Sequence, residues 1–465
     1  MVRPTRTRPM AQALSSSITL SRSIRSKGGG AFARRVGLIL RRFGWDPAPL
    51  ARSMALYAGV LREQQAPATW TVTANAARRH PEVLAPYRDS PVELGLHGWR
   101  HTDHQCANVL TQRAEVRCAA DELARLGLQP AGWRSPYLRS GLGTLDEVTA
   151  RGLRWEASAS LEFPCAGKAA LDARGADTWE RAVAFYSAAA WEARLALPWV
   201  ADGLVRFPTA LPDDEMLIDR LNLPTADITA IWLAMLQRTH ADGELLVMQL
   251  HPERARDFAA PLAALLDRAR SARKPGLGIW IASLGEIADW WLRRSAARLS
   301  LEPSATGWVA AVEGAAGVQV ECIYPLVTAE ASLVAVGGAS RGASVIAGGT
   351  RWARHVGRKI EFESSVWPGI GVGAAEPGPV VERLRALGMA AERRAPGRAY
   401  AATLDEPSDA ALAALVRRLG RGEGLAGPLV RLAVWPEGYR SVLAITGDVC
   451  AITLYDFAAR VAGVP

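Results

Sequence analysis

Disulfide pairs, membrane spans, lysine and a hydrophobic leader are all scarce or missing here, and each shortage removes a class of protein. Five cysteines, at 106, 118, 165, 322 and 450, are scattered without paired spacing. An odd, sparse set argues against a disulfide framework and for a reducing compartment. No run approaches the roughly 20 apolar residues of a membrane span. The first thirty residues are rich in Arg, Ser and Thr, lack the apolar core of a secretory signal and read as a tail. A cytoplasmic protein without a transmembrane segment is therefore expected. The formal charge of +9 is carried almost wholly by arginine, with no basic stripe interleaved with aromatics of the kind single-stranded nucleic acid needs. No nucleic-acid partner is expected, although a modest attraction to anionic surfaces or glycans follows from the charge.

What is present is a globular composition: 465 residues, 49% hydrophobic, with a mean hydropathy of +0.03. That is enough for two domains, or three. Seven histidines occur in the chain, and three fall within eight residues, at 97, 101 and 104. They follow the apolar run Val92–Leu96. Neutral imidazoles ligate zinc and neighbouring metals, and two on one rigid element make half a site; the plain alternative is a pair of solvated histidines on a helix. Three more segments share the grammar of a buried strand ending in a reactive side chain. Leu245–Leu250 ends at His251. Ser441–Thr446 ends at Gly447, Asp448, Val449 and Cys450. Ala131–Trp133 leads into Arg134, Ser135, Pro136 and Tyr137. Short apolar runs bounded by Gly or Pro are what fully buried parallel strands look like. In α/β barrels, reactive groups sit at the strands' carboxyl ends.

These residues resemble the polysaccharide deacetylase (NodB-homology) family, carbohydrate esterase family four. His97 and His101 match its His-x3-His metal motif. Arg134, Pro136 and Tyr137 match its Arg-x-Pro-Tyr motif, and Leu250-His251 matches its late Leu/His motif. The resemblance covers roughly residues 45 to 295. The family's first motif, a strand ending in two acids, is missing before Ala68–Thr73. The helical pattern through Leu50, Met54, Tyr57 and Leu61 stands there instead. A strand ending in an acid lies at the far carboxyl end, at Leu443–Asp448. The expected fold is thus an α/β, distorted (β/α) barrel of the polysaccharide deacetylase type, circularly permuted, with its first strand supplied by the C-terminus. Permutation is cheap where barrel termini lie close together. The expected division is a disordered tail over 1–40, the main part of the barrel over 41–297, an inserted smaller β-rich α+β domain over 298–435, and a completing strand and helix over 436–465. Trp367–Gly373 reads as a turn-rich connection rather than a phosphate loop.

The resemblance implies a metal-dependent hydrolase that removes N-acetyl groups from a sugar or polysaccharide precursor. A divalent metal, zinc first, would sit on His97 and His101. Asp448 would be the base and Arg134 its partner. Tyr137 would lend its backbone N–H to the oxyanion, and His251 would be the acid. Asp213 or Asp214 could orient His251, although acidic pairs after proline usually open a helix. His104 and Asp103 read as loop or supporting residues. The chain departs from the family in one place: the second carboxylate is replaced by Cys450, two residues after Asp448. A thiolate ligates zinc, but a cysteine behind a strand is commonly just a small apolar residue. Two alternatives therefore stand beside the hydrolase. One is an impaired deacetylase-like scaffold that binds glycans; the other is an amidohydrolase for a small non-sugar amide. Neither the glycan nor the oligomeric state is written in these residues.

Overall fold

In the computed structural model, residues 37–88, 90–164, 168, 171–272, 277–325, 341–347, 350–373 and 376–462 are described, without side chains over 341–355. Residues 1–36 of the expected tail, and Cys165, lie outside that set. Residues 37–42 are helical rather than tail.

Short apolar runs that bury both faces assemble one ten-stranded sheet. Its strands are β1 (Ala68–Val72), β2 (Val92–Leu96), β3 (Gly132–Trp133), β4 (Trp155–Glu162), β5 (Ala189–Ala190), β6 (Trp199–Ala201), β7 (Leu204–Leu211), β8 (Leu245–Leu250) and β9 (Gly278–Ile281), joined by the last strand of the chain. That strand, Tyr439–Val449, is β20 in chain order, after the strands of residues 298–435. The order is β6-β7-β4-β3-β2-β1-β20-β8, with β5 beside β4 and β9 beside β20. Every ladder is parallel except the β6–β7 hairpin. Helices such as Ala48–Glu63, Val109–Arg125, Thr225–Asp242, Ala255–Ser271 and Leu284–Ala296 alternate with the strands, as parallel connections demand.

The C-terminal strand holds the middle of this sheet. β20 pairs β8 over residues 442–447. It pairs β1 over 446–449 and β9 over 439–443. A strand has two edges, so β1 and β9 must share one of them end to end, with β8 on the other. Residues 440–449 are buried throughout. Gly447 is required where β20 passes under the helix Ala48–Glu63. A Cβ there would lie 2.8 Å from the Trp70 ring and 3.0 Å from Tyr57.

Several local expectations need correcting. The chain after β1 forms no single helix: Pro81 starts a new turn after His80, giving Ala74–Arg79, Pro81–Leu84 and Ala85–Tyr87. Strands β4 and β7 carry polar residues along runs that the fold buries almost throughout, so the sequence does not signal them as strands. Trp367–Val372 is a buried strand rather than a turn-rich connection.

Residues 298–435 form three small sheets. The first joins β10 (Arg298–Pro303), β11 (Gly307–Glu313) and β15 (Lys359–Glu363). The second joins β12 (Val320–Pro325), β13 (Arg341–Ala347), β14 (Thr350–Gly357) and β19 (Leu429–Leu432). The third is parallel and joins β16 (Trp367–Val372), β17 (Ala391–Arg393) and β18 (Tyr400–Leu404). The core of the first two is continuous with Leu245, Val442, Ala444, Trp290 and Trp291, and the third sheet packs with Ile323 and Leu429. Leu245 starts β8 and its register partner Val442 lies in the first half of β20, so this unit covers the amino-end side of these strands. Arg417 fastens it to Glu244 at 2.9 Å.

A chain ending at residue 435 loses the central strand and leaves β1 and β8 with no partner between them. It should lose cooperative thermal unfolding when followed by circular dichroism; a melt like that of the full chain would show that β20 is dispensable.

Candidate metal centre and active site

The parallel ladders continue one residue past the strands and set the side chains at their ends. The His97 N–H donates to Val72 O at 2.9 Å, and the Arg134 N–H to Leu96 O at 2.9 Å. Gly98 then adopts φ +88°, a region that favours glycine, and turns the chain back so that His101 returns over His97. Glu115, on the helix Val109–Arg125, pins that loop by accepting from the Arg100 N–H at 2.9 Å and the Thr102 hydroxyl at 3.3 Å.

His97, His101 and Cys450 each offer a ligand atom, and the three atoms lie within 4.8 Å of one another. The His97 Nδ1 lies 2.9 Å from Arg134 O. A carbonyl only accepts, so Nδ1 carries the proton and Nε2 keeps its lone pair. Burial lowers the His97 pKa to about 4 and pushes that of His101 well down, so both rings are neutral at physiological pH. His101 Nδ1 is buried without a hydrogen-bond partner. Burial pushes the Cys450 thiol well up, and its Sγ lies 3.8 Å from Asp448 O. Ligand atoms around tetrahedral zinc stand about 3.3–3.8 Å apart, a spacing that small side-chain movements would reach. Two neutral imidazoles, one with an orphaned nitrogen, and a thiol fit a zinc-like ion.

Asp448, at the end of β20, is fully buried. Its Oδ1 accepts from Thr71 Oγ1 at 2.7 Å and Arg134 Nη1 at 3.0 Å, and its Oδ2 from Gln249 Nε2 at 2.7 Å. Burial alone would raise its pKa; the Arg134 guanidinium outweighs that and holds the carboxyl well below the usual range. Arg134, also fully buried, further donates to Thr446 Oγ1 at 2.6 Å and Ala157 O at 3.0 Å.

His251 stands at the end of β8. Asp214 accepts from its N–H at 2.6 Å and lies 2.7 Å from its Nδ1. Burial disfavours the imidazolium, but the Asp214 carboxylate overrides it and raises the pKa to about 9. Beside it, burial and the charge of Asp214 raise Asp213 to about 7. Tyr137 and Leu138 both take left-handed backbone, φ +60° and +56°, a strained pair. The Tyr137 ring packs edge-on to His101 with centroids 4.4 Å apart.

Residues 45–155 match the family described as polysaccharide deacetylase. That segment is a polysaccharide deacetylase-family domain. Among solved structures, the chain resembles a probable polysaccharide deacetylase from Pseudomonas aeruginosa PAO1 at 19% identity and TM-score 0.41, over 52% of this chain and 73% of that one. It resembles Puue allantoinase at 19% and 0.40, over 51% and 72%. It resembles a protein named as a polysaccharide deacetylase from Mycobacterium smegmatis at 21% and 0.40, over 60% and 86%. At this distance they say nothing of what this chain acts on. No curated protein matches it.

The matched segment supplies His97, His101, Arg134 and Tyr137, while His251 and Asp448 reach the same place from outside it. His104 stays apart: it is buried against Trp133, with Nδ1 2.7 Å from Thr144 Oγ1. Asp103 pairs with Arg139 at 3.2 Å. Sequence reading missed Thr71, Gln249 and Thr446, which surround the Asp448–Arg134 pair. The available signal was a polar residue inside an apolar strand just before its reactive end. No described helix is long and apolar enough to cross a membrane.

His251 should titrate near pH 9 in imidazole NMR, and Asp214→Asn should move it down by more than one unit; an unchanged midpoint would remove Asp214 as the cause. The raised pKa also means that the stability this pair adds is fully present below about pH 6.5 and is lost as pH rises through about 9. Arg134→Met leaves Asp448 buried and uncompensated and should cost about 3–5 kcal/mol in urea unfolding.

Proposed function

We propose that this protein is a metal-dependent amide hydrolase that removes N-acetyl groups from a sugar or polysaccharide precursor. The observation that carries this is the meeting of His97, His101 and Cys450 with Asp448 on one side and the His251–Asp214 pair on the other, all at the carboxyl ends of β2, β20 and β8. The order of motifs supports a circular permutation: the strand with the acid is last in sequence yet lies beside β1. The same reading divides the chain into a barrel over 41–297 and 436–465 with an accessory domain over 298–435.

His97, His101 and Cys450 would hold the ion, zinc by the chemistry of a donor set of two imidazole nitrogens and one sulfur. When bound, such an ion polarises a carbonyl and lowers the pKa of a bound water. The residues do the rest. Asp448 is ionised at any working pH, and its Oδ2 has accepted one hydrogen bond, from Gln249. A second lone pair there is available for a water proton. A carboxylate held this low is a poor base toward ordinary water, so it needs an acidified one. Arg134 fixes the orientation of Asp448. His251 carries its proton below about pH 9 and can deliver it from Nε2 to the departing amine. The left-handed turn at Tyr137 and Leu138 supports a backbone N–H donor for the oxyanion.

Acid and base are set by environment, with Asp448 pushed toward the anion and His251 toward the cation. Hydrolysis should therefore fall as pH rises through about 9, when His251 loses its proton. The purified protein should carry close to one zinc per chain by elemental analysis, lost in His97→Ala and weakened in Cys450→Ala. Cys450→Asp should keep the metal, because a carboxylate also ligates zinc. Release of acetate from N-acetylglucosamine oligomers by the loaded protein tests the activity. Bound metal without any turnover would favour the reading that Cys450 marks a glycan-binding relative that has lost catalysis.

A further inference from the structure

Five arginines stand around the carboxyl ends of these strands, and four have carboxylate partners. Arg134 pairs with Asp448 at 3.0 Å, Arg139 with Asp103 at 3.2 Å and Arg220 with Glu215 at 3.5 Å. Arg254 pairs with Asp219 at 2.8 Å and Glu253 at 2.7 Å. Arg460 is the exception. Among the described residues it makes no hydrogen bond and no ion pair, and its Nε is buried without a partner. Its guanidinium carbon stands 5.4 Å from the Phe457 ring centre and 6.0 Å from that of Tyr137. It acts electrostatically on His101 and Cys450.

Its position is set by the helix Leu454–Ala462. Thr453 and Asp456 cap that helix reciprocally, with Thr453 Oγ1 donating to Asp456 Oδ2 at 3.0 Å and the Asp456 N–H donating to Thr453 Oγ1 at 3.2 Å. Arg79 holds Asp456 at 2.6 Å, and the Leu454 N–H reaches Gly44 O at 2.8 Å. Arg460 is half-buried, with its Nε edge inside and unpartnered, and a guanidinium satisfies itself best against phosphate or carboxylate. Glu215 and Glu253 act on it electrostatically but pair with Arg220 and Arg254, so the Arg460 guanidinium keeps donors for an anion that arrives with a ligand.

We propose that Arg460 receives an anionic group, phosphate or carboxylate, carried by the substrate next to its scissile amide, so that this chain prefers charged N-acetyl sugars. The inference rests on the hydrolase reading for its turnover arm alone. Deacetylation of N-acetylglucosamine, N-acetylglucosamine 1-phosphate and N-acetylmuramic acid is compared for the zinc-loaded wild type, Arg460→Gln and Arg460→Lys. Calorimetric binding of the same three compounds runs alongside, and circular dichroism checks each variant's fold. The wild type should favour one or both charged sugars, in kcat/KM and in Kd. The charged-to-neutral ratio should fall at least about tenfold in Arg460→Gln and recover in part in Arg460→Lys. Preference for the phosphate or for the carboxylate compound identifies the anion. A wild-type ratio near one, or a ratio unmoved in Arg460→Gln, overturns the proposal. Arg460-dependent binding without turnover overturns the hydrolase reading and leaves the anion site standing.

Discussion

The buried ion pair between Arg134 and Asp448 joins the end of β3 to the end of β20 across the two strands between them. Neither side chain touches solvent. Such a pair adds little net stability over apolar residues of the same volume, but losing one partner leaves a charge in the interior. It therefore acts as a constraint: the last strand of the chain can occupy the centre of the sheet in one register, the one that presents Asp448 to Arg134. Thr71, Gln249 and Thr446 complete the constraint, because every remaining polar atom of the pair must also be satisfied.

Once that pair is fixed, the charges around it are fixed too. Burial makes His97 and His101 neutral, which a cation-binding site needs. Asp214 makes His251 positive, and Arg134 keeps Asp448 negative. Three kinds of protonation state coexist within one small region at neutral pH. Cys450 joins the group because Thr73 holds the neighbouring backbone, donating its hydroxyl toward Val449 O and Cys450 O at 3.3 Å each.

Stability and chemistry are placed at opposite ends of the sheet. The small sheets of 298–435 pack on the starts of β8 and β20 and are fastened there by Arg417 and Glu244. Reactive side chains gather at the other ends of the same strands. That division is the one expected of parallel α/β sheets, and it leaves the open face to loops and to the helix that carries Arg460.

Much of this was legible in sequence, since it depends on neighbours along the chain. The runs 92–96 and 245–250 are apolar over a strand's length and end in histidine, so both strands and both reactive ends could be read, as could the helix from 48 to 63. Polar residues inside buried strands conceal the strands at 155–162 and 204–211, where Glu156 is satisfied by Ser140, Ser158 and Arg206 from three different segments of the fold. Choosing Asp214 over Asp213 for His251 needed three dimensions, because either carboxylate could have turned inward. The same holds for Gln249, Thr446 and the solitary Arg460. By itself, the sequence determined which side chains stand at strand ends. Only the tertiary structure decided which of those ends meet, since parallel strands are joined by long crossovers and pairing between distant segments is set by shared burial and counter-charge rather than by spacing.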